Sequence, residues 1–419
     1  MQERPSKIKT LGLFEIRPYL KLLNSNLLEF VCQVQKDHGD FTHLKIPFFN
    51  LMVISDPEWV QLLMTSLHSN LQKPDFLKKT AKAYGSTGPF IDDGEKWKEE
   101  RTFFSSLFHK QTFDSYMGIR EAIVFKIDQM ILENPKQKPI HFFSSLSLDL
   151  IFNYGYQFTS TEFDEDIIEL FYEVHDLFLK DLKRPFRLPQ WVLTPHNLRA
   201  KKNNARFQKN IDKAIQHIKK IRPESSLRDE LTTIFVAGME ATSAMLSWCL
   251  YGLLENPEVK DLLLDSIEKE SEKVSSSKIQ AFMDEVTRLY PPGYIFNRQV
   301  NTEFTHENIK FPKKTQLFMV PYLVHRNPSI FKDPLTFKWD RFLNWSSKAH
   351  MPYGAGARYC PGAQFARLIG TLCLKHILVN YNFKNVSAET VKPSPYLSLS
   401  PGFNFECAFE PKNAQSQPL

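Results

Sequence analysis

The sequence predicts a mainly α chain with a minor β part, and three observations carry that class. From Pro57 to about Leu289, apolar residues recur at helical spacing, interrupted by loops at Gly85-Ser86-Thr87-Gly88 and Lys183-Arg184-Pro185. After Pro291-Pro292 the pattern changes to short extended pieces, Tyr294 to Val300 and Leu317 to Tyr322, followed by a turn-rich stretch from Asn327 to Trp345. Within the helical part, Leu231 to Leu254 is apolar enough to span a bilayer. Glu240 near its centre, several hydroxyls and the Asn256-Pro257 stop make it a buried core helix instead.

No repeat or low-complexity linker divides the chain, so we read 1–419 as one domain. Its N-terminal part opens with an amphipathic helix, Leu22 to Lys36, and a β-containing piece at about 35–60 with strands at Thr42 to Ile46 and Leu51 to Ile54. A helical core follows at about 57–290, in which the basic stretch Arg199 to Arg222 reads as a solvated helix face. Strands, the turn-rich meander, a cysteine loop and a last helix from Gly362 to Asn380 fill about 291–380, and aromatic-rich strands close the chain at 381–410.

Composition excludes several classes. Hydrophobic content of 42% and charged content of 24% are those of a globular protein, not of a disordered chain, a collagen or a disulfide scaffold. A net charge of +6 permits an acidic partner without demanding nucleic acid. The 35 phenylalanines imply wide apolar walls or pockets. Five dispersed cysteines, with no CxxC pair, read as free thiols in a reducing compartment. Charges from Glu3 to Arg17 break up any secretory apolar core, so the expectation is a cytoplasmic protein, free or peripheral to a membrane, without a transmembrane segment.

Glycine is scarce, 15 of 419 residues or about 3.6% against a background of roughly 7%. Yet Gly354, Gly356 and Gly362 fall within nine residues, in Tyr353-Gly354-Ala355-Gly356-Ala357-Arg358-Tyr359-Cys360-Pro361-Gly362. The segment lacks the Lys-Ser/Thr ending of a phosphate-binding loop and does not follow a strand as a dinucleotide fingerprint does. It offers one cysteine on a tight loop just before a helix N-terminus, where unpaired N–H groups stabilise a thiolate fit to ligate a metal. The pattern resembles the haem-binding signature of the cytochrome P450 superfamily, FxxGxRxCxG, with Tyr353 in place of Phe and Gly356, Arg358, Cys360 and Gly362 in register.

Other segments carry the same resemblance in the family's order. Glu285-Val286-Thr287-Arg288 matches the ExxR helix, while His325-Arg326-Asn327-Pro328 and Trp339-Asp340-Arg341-Phe342 are similar to the HRxP and PERF segments. The resemblance implies a structural Glu285–Arg288–Arg341 network. Trp97-Lys98-Glu99-Glu100-Arg101 matches WxxxR, whose i,i+4 spacing sets indole and guanidinium side by side as donors to a carboxylate. By resemblance, Trp97, Arg101, Arg298 and Arg358 hold the propionates of haem b, and Cys360 is the axial ligand of its iron.

Ala237-Gly238-Met239-Glu240-Ala241-Thr242-Ser243 is similar to the family's oxygen-helix pattern (A/G)Gx(D/E)T. Gly238 then opens room for dioxygen and Glu240 takes the acid position, but Ala241 stands where the family has its threonine. Thr242 is one residue late, about 100° around a helix. Proton delivery is left to Glu240 with ordered water, to a substrate hydroxyl, or to a shift of register in this helix.

The resemblance implies the cytochrome P450 fold, with haem between the Glu240 helix and the Cys360 loop. It implies a monooxygenase that uses O2, with electrons from a separate ferredoxin, flavodoxin or flavoprotein reductase. No flavin fingerprint or iron–sulfur cysteine cluster accompanies the motifs. Phe90, Phe235, Met239, Tyr294, Ile295, Phe296, Leu399 and Phe403 form the expected substrate walls, apolar enough for a fatty acid, terpenoid or sterol. The WxxxR surroundings, Asp93 through His109, look most like fatty-acid hydroxylases. Ala241 keeps two alternatives open, a peroxide-using or isomerase/dehydratase haem–thiolate enzyme and a non-catalytic haem-binding protein.

Overall fold

The structure is a computed structural model that describes residues 8–46, 49–85, 88–108, 118–156, 158, 162–164, 166–183, 192–219 and 227–412. The loop residues Ser86, Thr87, Arg184 and Pro185, the end of the basic stretch at Arg222, and His109 lie outside it. The longer helices, in chain order, are α1 (Leu27–His38), α2 (Pro57–Met64), α3 (Asp75–Ala83), α4 (Gly94–Leu107), α5 (Ile119–Glu133), α6 (Pro139–Tyr156), α7 (Ile167–Lys183), α8 (Pro195–Ile218), α9 (Leu227–Glu255), α10 (Pro257–Lys269), α11 (Glu272–Leu289) and α12 (Ala363–Asn380). The chain folds as two compact units, one of residues 1–78, 287–337 and 344–360, the other of 79–286, 338–343 and 361–419.

The first unit holds the larger sheet. Its strands are β1 (Lys9–Leu11), β2 (Phe41–Ile46), β3 (Phe49–Ile54), β4 (Leu71–Gln72), β6 (Phe296–Val300) and β9 (Gln316–Met319), in the order β1-β2-β3-β9-β6-β4. Strands β6 and β9 run antiparallel, with Arg298 opposite Leu317. Between them in the chain, β7 (Phe304–His306) and β8 (Ile309–Phe311) pair as a hairpin. Helix α1 covers the sheet with Phe30, Val31 and Val34 against Leu11, Leu44, Leu51 and Val53. The expected helix from Leu22 is in fact split at Asn26. Its side chain accepts from the Glu29 N–H at 3.2 Å and starts α1 afresh at Leu27, as an Asn N-cap does. The expected strand to Tyr322 stops at Met319, because Pro321 has no N–H for the ladder and opens a helical turn, Pro321–Val324.

In the second unit α6 and α9 lie against each other with small residues between them: a Cβ on Gly238 would come within 2.9 Å of Ile151 Cδ1. Ser144 donates to Ser243 Oγ across the same contact at 3.0 Å. Strands β10 (Tyr381–Asn385), β13 (Cys407–Pro411) and β5 (Lys136–Gln137) form a small sheet, and β11 (Ser394–Pro395) and β12 (Leu399–Ser400) a short hairpin. Helix α9 is the one described helix long and apolar enough to cross a membrane, with 72% of that window buried in the protein, which makes it a core helix. None of the five cysteines is joined in a disulfide.

Candidate active site

The cysteine loop is shaped by backbone. Gly354 and Gly356 have φ of +77° and +65°, in the left-handed region that L side chains avoid. A Cβ on Gly356 would sit 2.1 Å from the carbonyl oxygen of Met64 at the end of α2, so no side chain fits there. Gly356–Arg358 make a single 3-10 turn, and the Cys360 N–H donates to the Tyr353 carbonyl at 2.9 Å, drawing the ends of the motif together. Gly362 corrects the sequence reading of all three glycines as one cluster of backbone freedom. Its φ of −86° is ordinary, and its carbonyl accepts from Ala366 in the first turn of α12.

The thiols differ by environment. Cys249, Cys373 and Cys407 are buried, and burial raises each thiol, that of Cys407 to about 12. Cys32 in α1 is also raised by burial. Cys360 keeps part of its surface open on the glycine loop, two residues from the half-buried Arg358. An accessible thiol on a loop that excludes side chains at Gly356 fits a haem–thiolate ligand. Trp97 and Arg101 lie one turn apart on α4, both half-buried, as a shared face requires. Arg298 is half-buried in β6 and donates to the Asn297 carbonyl at 2.8 Å.

Helix α11 carries two anchors. Glu285, with no exposed surface, accepts from Arg341 Nε at 3.0 Å and from the Lys338 N–H at 2.8 Å, pinning the PERF-like turn. Arg288, equally buried, donates to the carbonyls of His325 at 2.9 Å, Pro334 at 2.6 Å and Thr336 at 3.2 Å. His325 Nε2 accepts the Met351 N–H, so Nδ1 carries the proton and faces the Arg288 carbonyl. Burial holds that imidazole neutral, well below its ordinary range.

Helix α9 is not regular at the oxygen motif. Ile234–Met239 is a π-helical turn between α-helical segments, a local shift in the register of this helix. The Gly238 and Met239 carbonyls accept from Thr242 Oγ1 at 2.8 Å and Ser243 Oγ at 2.6 Å. Thr242 therefore spends its hydroxyl on its own helix. Ala237 is exposed, with Val236, Gly238 and Ala241 half-buried, in a helix whose neighbouring residues are buried. The small residues thus face an opening.

Glu240 points elsewhere. Its Oε1 accepts the Ser398 N–H at 2.9 Å, and its Oε2 lies 3.4 Å from Nδ1 of His175 on α7. Both side chains are buried, and burial pushes the carboxyl up to about 8 and the imidazole down to about 3. Tyr172 and Tyr396 flank the pair, their phenols raised by burial and, further, by Glu240. Of these partners the sequence reading named none by role. The one available signal was an ionisable residue on the apolar face formed by Ile167, Leu170, Phe171 and Val174.

The expected wall residues divide. Phe90, Ile295 and Phe296 are half-buried, and Tyr294 is nearly closed off. Phe235, Met239 and Leu399 have no open surface. Phe235 is enclosed by Phe152, Phe163, Phe171 and Phe207 at ring separations of 5.1–5.9 Å, which corrects its reading as a wall: it is core behind one. Phe403 packs edge-on against Tyr172 at 4.9 Å.

A family model described as cytochrome P450 matches residues 12–229 and 222–404. Among curated relatives, cytochrome P450 4c21 of Blattella germanica is 24% identical over 81% of this chain and 79% of its own length. Melianol synthase CYP71BQ5 of Melia azedarach is 23% identical over 90% and 85%. Cyclooctatin synthase of Streptomyces melanosporofaciens is 27% identical, over 43% of this chain and 42% of that protein. The crystal structure of CYP175A1 from Thermus thermophilus superposes with a TM-score of 0.80 at 24% identity, covering 97% of this chain and all of that one, a likeness of fold.

Proposed function

Because the chain belongs to the cytochrome P450 family, whose members are haem b oxidoreductases, we propose that it is a monooxygenase that inserts one atom of O2 into a lipophilic substrate, with electrons from a separate redox partner. Bound haem supplies the oxygen-activating redox chemistry, which thiolate ligation tunes toward O–O cleavage. The chain's own residues do the rest. Cys360 would hold the iron from the glycine loop, where Gly356 lets the backbone pass close to the Met64 carbonyl. Trp97, Arg101, Arg298 and Arg358 offer donors to the propionates. Glu240 keeps a proton in a buried site, and Val236, Ala237, Gly238 and Ala241 leave an opening along another part of α9.

The observation that carries this reading is Cys360 itself, a partly open thiol on the glycine loop in a chain whose other thiols are raised by burial. The test is the reduced carbon-monoxide spectrum of the haem-loaded protein. A thiolate-type Soret band is expected, lost in Cys360→Ser; a band unchanged by that substitution removes the assignment. Half-buried Phe90, Ile295 and Phe296 support a lipophilic substrate such as a fatty acid, terpenoid or sterol. Spectral titration with each class should give a saturable shift for at least one. Ala241 favours a second reading, a peroxide-using or isomerase/dehydratase enzyme. Product formed with NADPH and a surrogate reductase supports the first, and peroxide-only or oxygen-independent turnover the second.

A further inference from the structure

Helix α9 gives its acid one oxygen too many. Oε1 of Glu240 is satisfied by Ser398, but Oε2 has no hydrogen-bond partner among the described residues, and neither does His175 Nδ1 beside it. Two buried, unpartnered polar atoms 3.4 Å apart are costly unless they answer each other. An ion pair there would need its remaining lone pairs and protons satisfied, and the surroundings are aromatic: the His175 ring meets Tyr396 at 4.9 Å, Phe171 at 5.4 Å and Phe178 at 6.0 Å. The neutral arrangement, with one proton between carboxyl and imidazole, avoids that cost.

We propose that His175 is the positioning residue of a carboxyl–imidazole proton relay, in which its Nδ1 faces Glu240 Oε2 and replaces each proton the acid gives away. The step balances without redox change: Glu240 gives its carboxyl proton to the oxygen reduced in turnover, the carboxylate left behind takes the Nδ1 proton of His175, and Nε2 takes one from solvent, so the imidazole is neutral before and after. The role rests on the oxygenase reading, since an oxygenase must deliver protons, and it gives Glu240 a partner that Thr242 cannot be while donating to Gly238. The groups that face the pair are few. Tyr172 comes from α7 and Tyr396 from the hairpin, both held as phenols. Asp176, next to His175, is half-buried and paired with Lys180 at 2.6 Å. From α6, Ser144 hydrogen bonds the Tyr172 hydroxyl at 2.9 Å and His141 stacks on its ring.

The experiment is an infrared titration of the protonated carboxyl in the haem-loaded protein, with Glu240→Gln assigning the band, run beside coupled turnover. His175→Gln keeps a hydrogen-bonding side chain without a base; His175→Phe removes both. In His175→Phe the carboxyl midpoint should rise by about one pH unit or more, because no imidazole N–H remains to donate to the carboxylate; His175→Gln keeps a donor and should shift it less. Coupled turnover should fall about tenfold, with more reduced oxygen released as peroxide. A His175→Phe protein whose carboxyl titrates as in the wild type overturns the proposal, even if turnover falls, and so does a His175→Gln protein that keeps wild-type coupling. The titration is read without turnover, so a shifted midpoint in a protein that forms no product upholds the pair and faults the oxygenase reading instead.

Discussion

The cysteine loop and the Glu240 helix are built by opposite means. At the loop, the constraint falls on the backbone: φ at Gly354 and Gly356, and the close approach of the Met64 carbonyl, decide which residue types fit, and the answer is written as glycine in a glycine-poor chain. At the helix, the decisive partners of Glu240 come from far along the chain, His175 on α7 and Ser398 before β12. Neither position is marked by a rare residue or a fixed spacing. A site made of backbone geometry leaves a motif; a site made of side chains meeting in three dimensions leaves none.

The largest effect should come from the backbone side. Gly356→Ala adds a left-handed strain and an overlap with the Met64 carbonyl, and should cost about 4 kcal/mol or more, read as a lower Tm and reduced haem content. Gly94→Ala is its control: φ is +68°, but nothing lies within 4 Å of the added Cβ. It should cost about 1 kcal/mol. Equal losses at the two positions would show that the loop is defined by φ alone and not by close approach.

Next is the pH dependence of the buried pair, which has two limbs. Glu240 is raised from 4.5 to about 8, so the folded state holds a proton that the unfolded chain has lost, and stability falls as pH rises through the higher value. His175 is lowered from 6.5 to about 3, so its contribution is present above 6.5 and lost as pH falls. Between about 4.5 and 6.5 the two slopes oppose, giving a plateau with a decline on each side. Glu240→Gln should remove roughly 1–2 kcal/mol of the alkaline decline, and His175→Phe should flatten the acid one, both measured by denaturation across pH.

Smaller still is Gly238→Ala. Its Cβ meets the flexible end of Ile151 at 2.9 Å and Ile234 Cγ2 at 3.7 Å, so a loss of about 1 kcal/mol is expected, detectable as faster amide exchange across the α6–α9 contact. Smallest should be Ala241→Thr. If Glu240 already draws protons through His175, an added hydroxyl should change the coupled fraction less than about twofold. A large gain would shift the weight from the pair to the missing threonine.

Much of the candidate site was legible. Cys360, Arg358, the ExxR helix and WxxxR could be read as motifs because each depends on spacing along one element, which sequence preserves. The boundaries at Asn26 and Pro321 were also written there, as a cap and a missing N–H, but the apolar pattern running across them hid both. Phe235 misled for another reason. An aromatic next to a functional glycine reads as a wall until its four ring neighbours are placed around it.

By itself, then, the sequence determined where backbone must turn left-handed, which thiol such a turn presents, and which helices carry Glu285, Arg288 and Glu240, since these follow from local sterics and periodicity. Only the tertiary structure decided that α9 widens into a π turn at Ile234–Met239, that Thr242 spends its hydroxyl on Gly238, and that Glu240 meets His175. Those are consequences of packing between distant segments, where burial sets the protonation of a group and only the neighbours it actually meets decide its chemistry.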